Sequence, residues 1–343
     1  ALAEARRLPL IFVYATCIVG VIGDDVEAVC RMAEARHGIR VIPVKAAGFS
    51  GTKSQGYKLA CDAIMRLIAP GAGQPRTGGV NILGDFNLAG EIRIIRSYLE
   101  AAGIPVQSTI TGDASCESLL RAPSAALNLV QCAGSSTYLA ERMREEMGIP
   151  YVKVSFFGIG DTTDSLIRAA QALGDEVAER RARAFSEEKG RTARVLLDAM
   201  RPRFEGRRAA IFVGGGFKAI SLIRQFREMG IETVVVGTQT GRKEEYEVIE
   251  GLVGDTAVIL DDANPAELEK YMLEKNADIL VGGVKERPLA YKLGVAFVDH
   301  NHERKHALAG FEGVLNFARE VDASMNSPVW RLAWGRSMLC GET

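Results

Sequence analysis

VNILGDFNLAGEIRIIRSYLEAAGIPV, residues 80–106, is the stretch whose reading decides the fold. An apolar run breaks at Gly84, a helical stretch comes next, and Gly103 closes it before a second β-rich run. Glycine after a helix takes the left-handed conformation at little cost. A Val/Ile run that is apolar on both faces reads as a buried parallel strand. The unit is therefore strand, glycine turn, helix, glycine, strand. A second unit of the same form, AAIFVGGGFKAISLIRQFREMGIETV, covers 209–234. The helix–Gly–strand phrase also recurs in RHGIRVIPV (36–44), EMGIPYVKV (146–154) and KLGVAFVD (292–299).

Repeated αβ units predict an α/β fold of successive Rossmann-like domains, each a doubly wound parallel sheet with helices on both faces. The expected division is a partial first αβ domain over 1–75 and a second Rossmann-like domain over 76–174. Beyond these come a helical connector at 175–206, a third Rossmann-like domain at 207–334 and a tail at 335–343. PGAGQPRTGG (70–79) has the composition of a linker. The charges of the connector read as a solvated helix face.

Composition excludes several classes of function. The 343 residues are 25% charged and 47% hydrophobic, with a formal net charge of −1. Bulk charge therefore offers nothing to a nucleic acid or a membrane. The longest apolar stretch, IFVYATCIVGVIG (11–23), is too short and too glycine-rich to span a bilayer. No basic start precedes an apolar core, so no signal peptide is read and a cytoplasmic location is expected. The six cysteines show no C-x-x-C pair and no zinc spacing, and in that compartment they are expected as free thiols.

In open α/β sheets ligands bind beyond the C-terminal strand ends. The residues just past each expected strand are therefore the candidates for a site. Thr16 and Cys17 come after 11–15, GDFN after 80–83, Cys132 after 127–131 and FFGIGDT after 152–156. GGGFK comes after 210–213, GTQTG after 234–236, GGVKERP after 278–281 and DHNHERKH after 295–298. Cys17 and Cys132 each stand at a strand exit where a helix begins. A thiol there is either a small hydrophobe closing the strand or a thiolate ligand favoured by the helix dipole. Cys30 and Cys61 lie on apolar helix faces and read as core. Cys116 sits at a helix start, and Cys340 lies in the tail. Three of the four histidines, His300, His302 and His306, share DHNHERKH; continued strand alternation would turn His300 and His302 to one side. The glycine runs beside Gly215 and Gly216, with Lys218 and Lys285 just beyond, suit a multiply negative ligand. Neither a P-loop nor a dinucleotide fingerprint is present.

Several stretches, in order along nearly the whole chain, closely resemble the nitrogenase component 1 family. They are TCIVGVIGDDVEAVC, NILGDFNLAGEI, LNLVQCAGSSTYLAERMREEMGIPYVKVSFFGI, GTQTG, LVGGVKERPLAYKLGVAFVDHNHERK, and GFEGVLNFARE with SPVWR. The likeness is greatest to the branch that assembles the iron–molybdenum cofactor. It implies three Rossmann-like domains and a partner, NifN, in an α2β2 heterotetramer. It also implies a scaffold role in nitrogen fixation. An iron–sulfur precursor from NifB gains molybdenum and homocitrate, delivered by the nitrogenase iron protein, and passes to the nitrogenase catalytic component.

Carried over by position, Cys132 matches the cysteine that holds the cofactor or its precursor through a terminal iron. Cys17 matches a ligand of a [4Fe-4S] cluster at the partner interface. His300 matches the histidine at the far end of the cofactor, and a one-residue slip puts Asn301 there. Lys285 matches a lysine near the homocitrate, and the GGGFK loop one that packs on the cluster. The resemblance also marks departures. Lys53 and Tyr57 stand where the catalytic α subunit has a glutamine and a histidine, so an imidazole that could relay protons is replaced by a phenol. A cluster-holding scaffold is therefore expected rather than a turnover enzyme. The family's further N-terminal cysteine ligands are not in this sequence, so an incomplete N-terminal domain is expected. The rival readings are the nitrogenase α subunit, an oxidoreductase; a metal-chelate binding protein with no assembly role; and a protochlorophyllide reductase subunit.

Overall fold

A computed structural model describes residues 8–301 and 303–330. The elements begin with β1 (Leu10–Tyr14), α1 (Cys17–Ile22), α2 (Val26–His37), β2 (Arg40–Val44), α3 (Lys53–Ile68), β3 (Val80–Asp85) and α4 (Glu91–Ala101). Next come β4 (Val106–Thr111), α5 (Cys116–Arg121), β5 (Leu127–Val130), α6 (Ala133–Met147), β6 (Tyr151–Lys153), α7 (Ile159–Leu173) and α8 (Glu176–Met200). The remainder are β7 (Arg208–Val213), α9 (Gly216–Met229), β8 (Glu232–Thr238), α10 (Lys243–Val253), β9 (Val258–Asp261), α11 (Pro265–Glu274), β10 (Ile279–Gly282), α12 (Arg287–Lys292), β11 (Ala296–Asp299) and α13 (Gly310–Met325). Every pairing of these strands is parallel, so the expected α/β class holds.

Two compact units are distinguished. The first comprises 1–86 and 104–153. It carries the β1-β2 pair and a four-stranded sheet in the order β4-β3-β5-β6. Its core joins Ile42 and Val44 to Met65, Leu83, Val130 and Met143. β3 and β5 are buried along their whole lengths, which is why they read as unbroken apolar runs. Cys30 and Cys61 are buried, as their helix faces imply.

The second unit comprises 87–103 and 154–343. Its sheet runs β11-β10-β7-β8-β9. Val235, Val236, Ile279 and Leu280 are fully buried there, each contributing about 1.5–3 kcal/mol. The connector region forms α8, whose buried residues Ala178, Ala182, Ser186, Gly190 and Ala193 make one stripe of small side chains that ends in Leu197. At Gly190 an added Cβ would stand at ordinary contact distance, 3.4 Å from Ile159 Cγ2 and 3.5 Å from the Phe311 ring. The opposite face carries the i,i+4 pairs Glu176–Arg180, Glu179–Arg183 and Glu187–Arg191, the solvated face that the charges predict.

Of two strand expectations, one is corrected and one is met. The run 152–156 leaves the sheet after Lys153, because Ser155 N–H turns to the Ser165 hydroxyl at 2.9 Å. The run 295–298 forms β11 one residue later, at Ala296–Asp299, and the Asp299 carboxylate accepts the Asn301 N–H at 2.7 Å and bends the chain. Strand alternation therefore does not govern the histidines. His302 and Cys340, like the tail at 335–343, lie outside the described residues. No helix among the described residues is long and apolar enough to cross a membrane.

Candidate functional site

The candidate residues fall into two sets, one on each unit. In the first unit Cys132 is the N-cap of α6, half-buried, with φ −119° and ψ 100°. Its carbonyl accepts the Ser136 N–H, and its thiol stands at the positive end of a 15-residue helix. The turn is crowded from β3. Gly84 has φ +86°, and a Cβ there would lie 2.9 Å from Cys132 Cβ and 2.6 Å from Ser136 Oγ. Only a glycine lets β3 pass so close beneath the thiol-bearing turn.

Helix α3 packs on α6. Cys61 Sγ donates to Ser135 O at 3.7 Å, while Tyr138 Oη and Arg142 Nη1 both donate to Asp62 Oδ1. Burial and the Asp62 charge push the Cys61 thiol up to about 11, so it stays protonated. Lys53 and Tyr57 lie in the turns of α3 before Cys61, with the Lys53 ammonium 5.8 Å from the Tyr57 ring centre. Both share the helix that braces the start of α6.

Cys17 opens α1, is exposed, and accepts the Gly48 N–H at 3.2 Å through Sγ. None of the six residues of α1 is buried, although all are apolar or small. Cys116 opens α5 and is half-buried.

In the second unit the ends of β10 and β11 and the start of α9 converge. Gly215 is the N-cap of α9, and Gly216 its first residue. A Cβ on Gly216 would lie 2.9 Å from Glu245 Oε2, so a carboxylate from α10 already lies against the glycine turn. Lys218 Nζ donates to His300 O at 2.5 Å and to Asn301 Oδ1 at 2.9 Å. His300 N–H donates to Gly282 O at 3.0 Å. A Cβ on Gly283 would meet Asn301 Nδ2 at 2.7 Å, so this glycine makes room for the turn. Lys285, in the next turn, is exposed.

The His300 side chain is 0% exposed. Its ring stands edge-on to Phe157 at 5.2 Å and to Phe317 at 5.3 Å. Neither ring nitrogen has a hydrogen-bond partner among the described residues. Burial, with the positive Lys218 and Arg304 nearby, holds its pKa well below the usual value, so the imidazole is neutral and keeps a lone pair. Lys218, His300, Asn301 and the GGV turn thus form one cluster, in which Lys218 fastens the turn.

Two features had no sequence signal beyond residue type, and a third had a partial one. Arg304 and Glu91 form a buried ion pair at 3.0 Å, with side chains 8% and 0% exposed. The Arg304 guanidinium also lies 6.0 Å from the Phe157 ring centre. Glu245 packs on Gly216. Gly84 backs Cys132; the sequence hinted at it by placing GDFN just past an expected strand 80–83, although β3 runs on through Gly84 to Asp85. Chemically, a thiol and an unpartnered neutral imidazole are donors for iron or molybdenum, and lysines suit an anionic group. Each set by itself offers donors that suit a metal–sulfur cargo.

The model of the nitrogenase component 1 type oxidoreductase family matches residues 1–326. Among curated proteins, the nitrogenase iron-molybdenum cofactor biosynthesis protein NifE of Clostridium pasteurianum is 60% identical over 94% of this chain and 70% of its own length. The protein of that name from Methanosarcina barkeri is 48% identical over 96% of this chain and 74% of its own. Among solved structures, the nitrogenase protein Cp1 at pH 6.5 superposes with a TM-score of 0.86 at 27% identity, over 96% of this chain and 74% of that one.

Proposed function

The chain belongs to the nitrogenase component 1 type oxidoreductase family, and on that premise we propose that it is a scaffold for iron–molybdenum cofactor biosynthesis. Its sequence identity to proteins named for that biosynthesis carries the reading. The precursor cluster is its cargo. Cys132 binds one terminal iron as thiolate, at a helix N-terminus that favours the anion. Lys285, Lys218 and the glycine turn at Gly215 and Gly216 face the anionic end of the cargo, where molybdenum and homocitrate join it. His300, or Asn301 beside it, meets the far metal. Few ligands hold the cargo, so it can leave. Backbone N–H groups and lysines complete its surroundings and tune it.

The chain pairs with NifN in an α2β2 assembly. It receives the precursor from NifB and molybdenum with homocitrate from the nitrogenase iron protein, and it delivers the product to the nitrogenase catalytic component. Cys17 supplies one thiolate to a [4Fe-4S] cluster at the NifN interface. The Gly48 N–H already bonded to its sulfur supports that role, since such bonds tune iron–sulfur ligands. Lys53 and Tyr57 place an ammonium and a phenol where a catalytic subunit carries an imidazole, which favours holding over turnover.

The test is Cys132→Ala in the anaerobically purified complex, with iron content and paramagnetic resonance as readouts. The variant is expected to lose the precursor cluster at an unchanged unfolding temperature. Iron content equal to the parent's would refute the assignment.

A further inference from the structure

Glu245 stands where an anion is expected. It lies in the first turn of α10 and is half-buried. A Cβ on Gly216 would lie 2.7 Å from Glu245 Cβ and 2.9 Å from its Oε2, so the whole side chain runs along the first residue of α9. Gly215, the N-cap there, offers no side chain to close the helix. The first N–H groups of a helix have no partner inside it and carry partial positive charge. The Glu245 carboxylate is held in place from its own side, because Oε2 accepts the Arg242 N–H at 3.0 Å as half of a capping box. A half-buried carboxylate needs a positive neighbour, and the start of α9 is one that it lies against. Beside it the turn is open, since an added Cβ on Gly214 would have no atom within 4 Å.

We propose that Glu245 is a specificity-determining residue: its carboxylate answers the positive start of α9, so free polycarboxylates are kept off the glycine turn and an anionic group is admitted there only as part of a larger cargo. The distinction is physical. A free anion must overcome the repulsion of Glu245 with the contacts of the turn alone. The same group carried on a cargo with further contacts arrives at a high effective concentration and tolerates the repulsion. Selectivity of this kind is built by opposing the wrong ligand as well as by attracting the right one. A turn that filled with free polycarboxylate would be blocked before the cargo came. The proposal rests on the scaffold reading for what the turn meets, but the charge set beside the turn does not.

Citrate titrated into the intact chain, read by amide exchange of the peptide covering 213–219, tests it. Millimolar citrate is expected to leave that peptide unchanged in the parent. Glu245→Gln removes the charge and keeps the cap, because glutamine serves at the same capping position. It is expected to bind citrate about tenfold or more tightly than the parent, the effect of one charge removed from beside the ligand, and to slow exchange in the peptide. Glu244→Gln removes an equal charge from an exposed neighbour on the same helix and is expected to behave as the parent. Amide exchange of β8 checks that the variants keep their fold. Equal citrate affinity in the parent and Glu245→Gln overturns the proposal, as does the absence of any citrate response in Glu245→Gln. An equal gain in Glu244→Gln also overturns it, since net charge alone would then account for the effect. No arm contains a cluster, so failure here is distinct from failure of the scaffold reading, which appears as unchanged iron in Cys132→Ala.

Discussion

Replacing Gly84 with alanine tests how Cys132 is positioned. Gly84 sits at φ +86°, and the new Cβ would stand 2.6 Å from Ser136 Oγ, 2.9 Å from Cys132 Cβ and 3.0 Å from Cys132 N. The left-handed backbone costs alanine about 1–2 kcal/mol. Crowding against a backbone nitrogen and a Cβ, neither of which can rotate away, adds about 1–3 kcal/mol. Stiffening the unfolded chain returns about 0.4–1 kcal/mol. The net destabilisation is about 2–4 kcal/mol. Gly78 supplies the control, having φ +80° with no atom within 4 Å of an added Cβ. Gly78→Ala should therefore cost only about 1 kcal/mol, the backbone part alone. At about 4 °C per kcal/mol for a unit of this size, thermal unfolding should separate the two variants by roughly 5–10 °C. Gly84→Ala should also lose iron while Gly78→Ala retains it. Equal unfolding temperatures for the two variants would refute the claim that β3 is pressed against the Cys132 turn.

Other expectations rest on separate parts of the molecule. Arg304→Met strands the Glu91 carboxylate in a site with no exposure, so a loss of about 3–5 kcal/mol is expected. Adding Glu91→Leu should recover most of it in urea unfolding, and a double variant worse than the single one would contradict this. Cys61, with its thiol raised to about 11, and buried Cys30 should resist iodoacetamide at pH 8 until the chain unfolds, whereas exposed Cys17 should react first; early labelling of Cys61 by mass spectrometry would be the contrary result. Burial raises the Glu228 carboxyl above its ordinary 4.5, even though it accepts the Ile159 and Gly160 N–H groups. The folded chain therefore binds that proton more tightly than the unfolded chain. Its stabilisation is complete below about 4.5 and fades as pH rises through the folded value. Glu228→Gln should remove up to about 1.4 kcal/mol per pH unit of that decline, and urea midpoints measured from pH 4.5 upward with an unaltered slope would contradict it.

Much of the site was legible for a local reason. A thiol at the exit of an apolar run, or glycines before a helix, is a pattern within a dozen residues. In a parallel sheet such exits all gather along one edge. Cys132, Gly215, Lys285 and His300 could be singled out that way. What each side chain does there could not. That His300 is walled in by Phe157 and Phe317, or that Lys218 spends its donors on the turn, depends on neighbours many residues away. In the bend after β11 the Asp299 carboxylate captures the Asn301 N–H, a bond that no periodicity records.

By itself the sequence determined the αβ repeat, the buried strands, the helix ends and the family, because strand and helix periods and glycine conformations act between near neighbours along the chain. The tertiary structure alone decided that Arg304 meets Glu91, that Glu245 lies against Gly216 and that the imidazole is sealed. Parallel strands must be joined by long crossovers, so residues far apart in sequence end side by side. Their mutual burial, and not their local pattern, sets the charge and reach of each group.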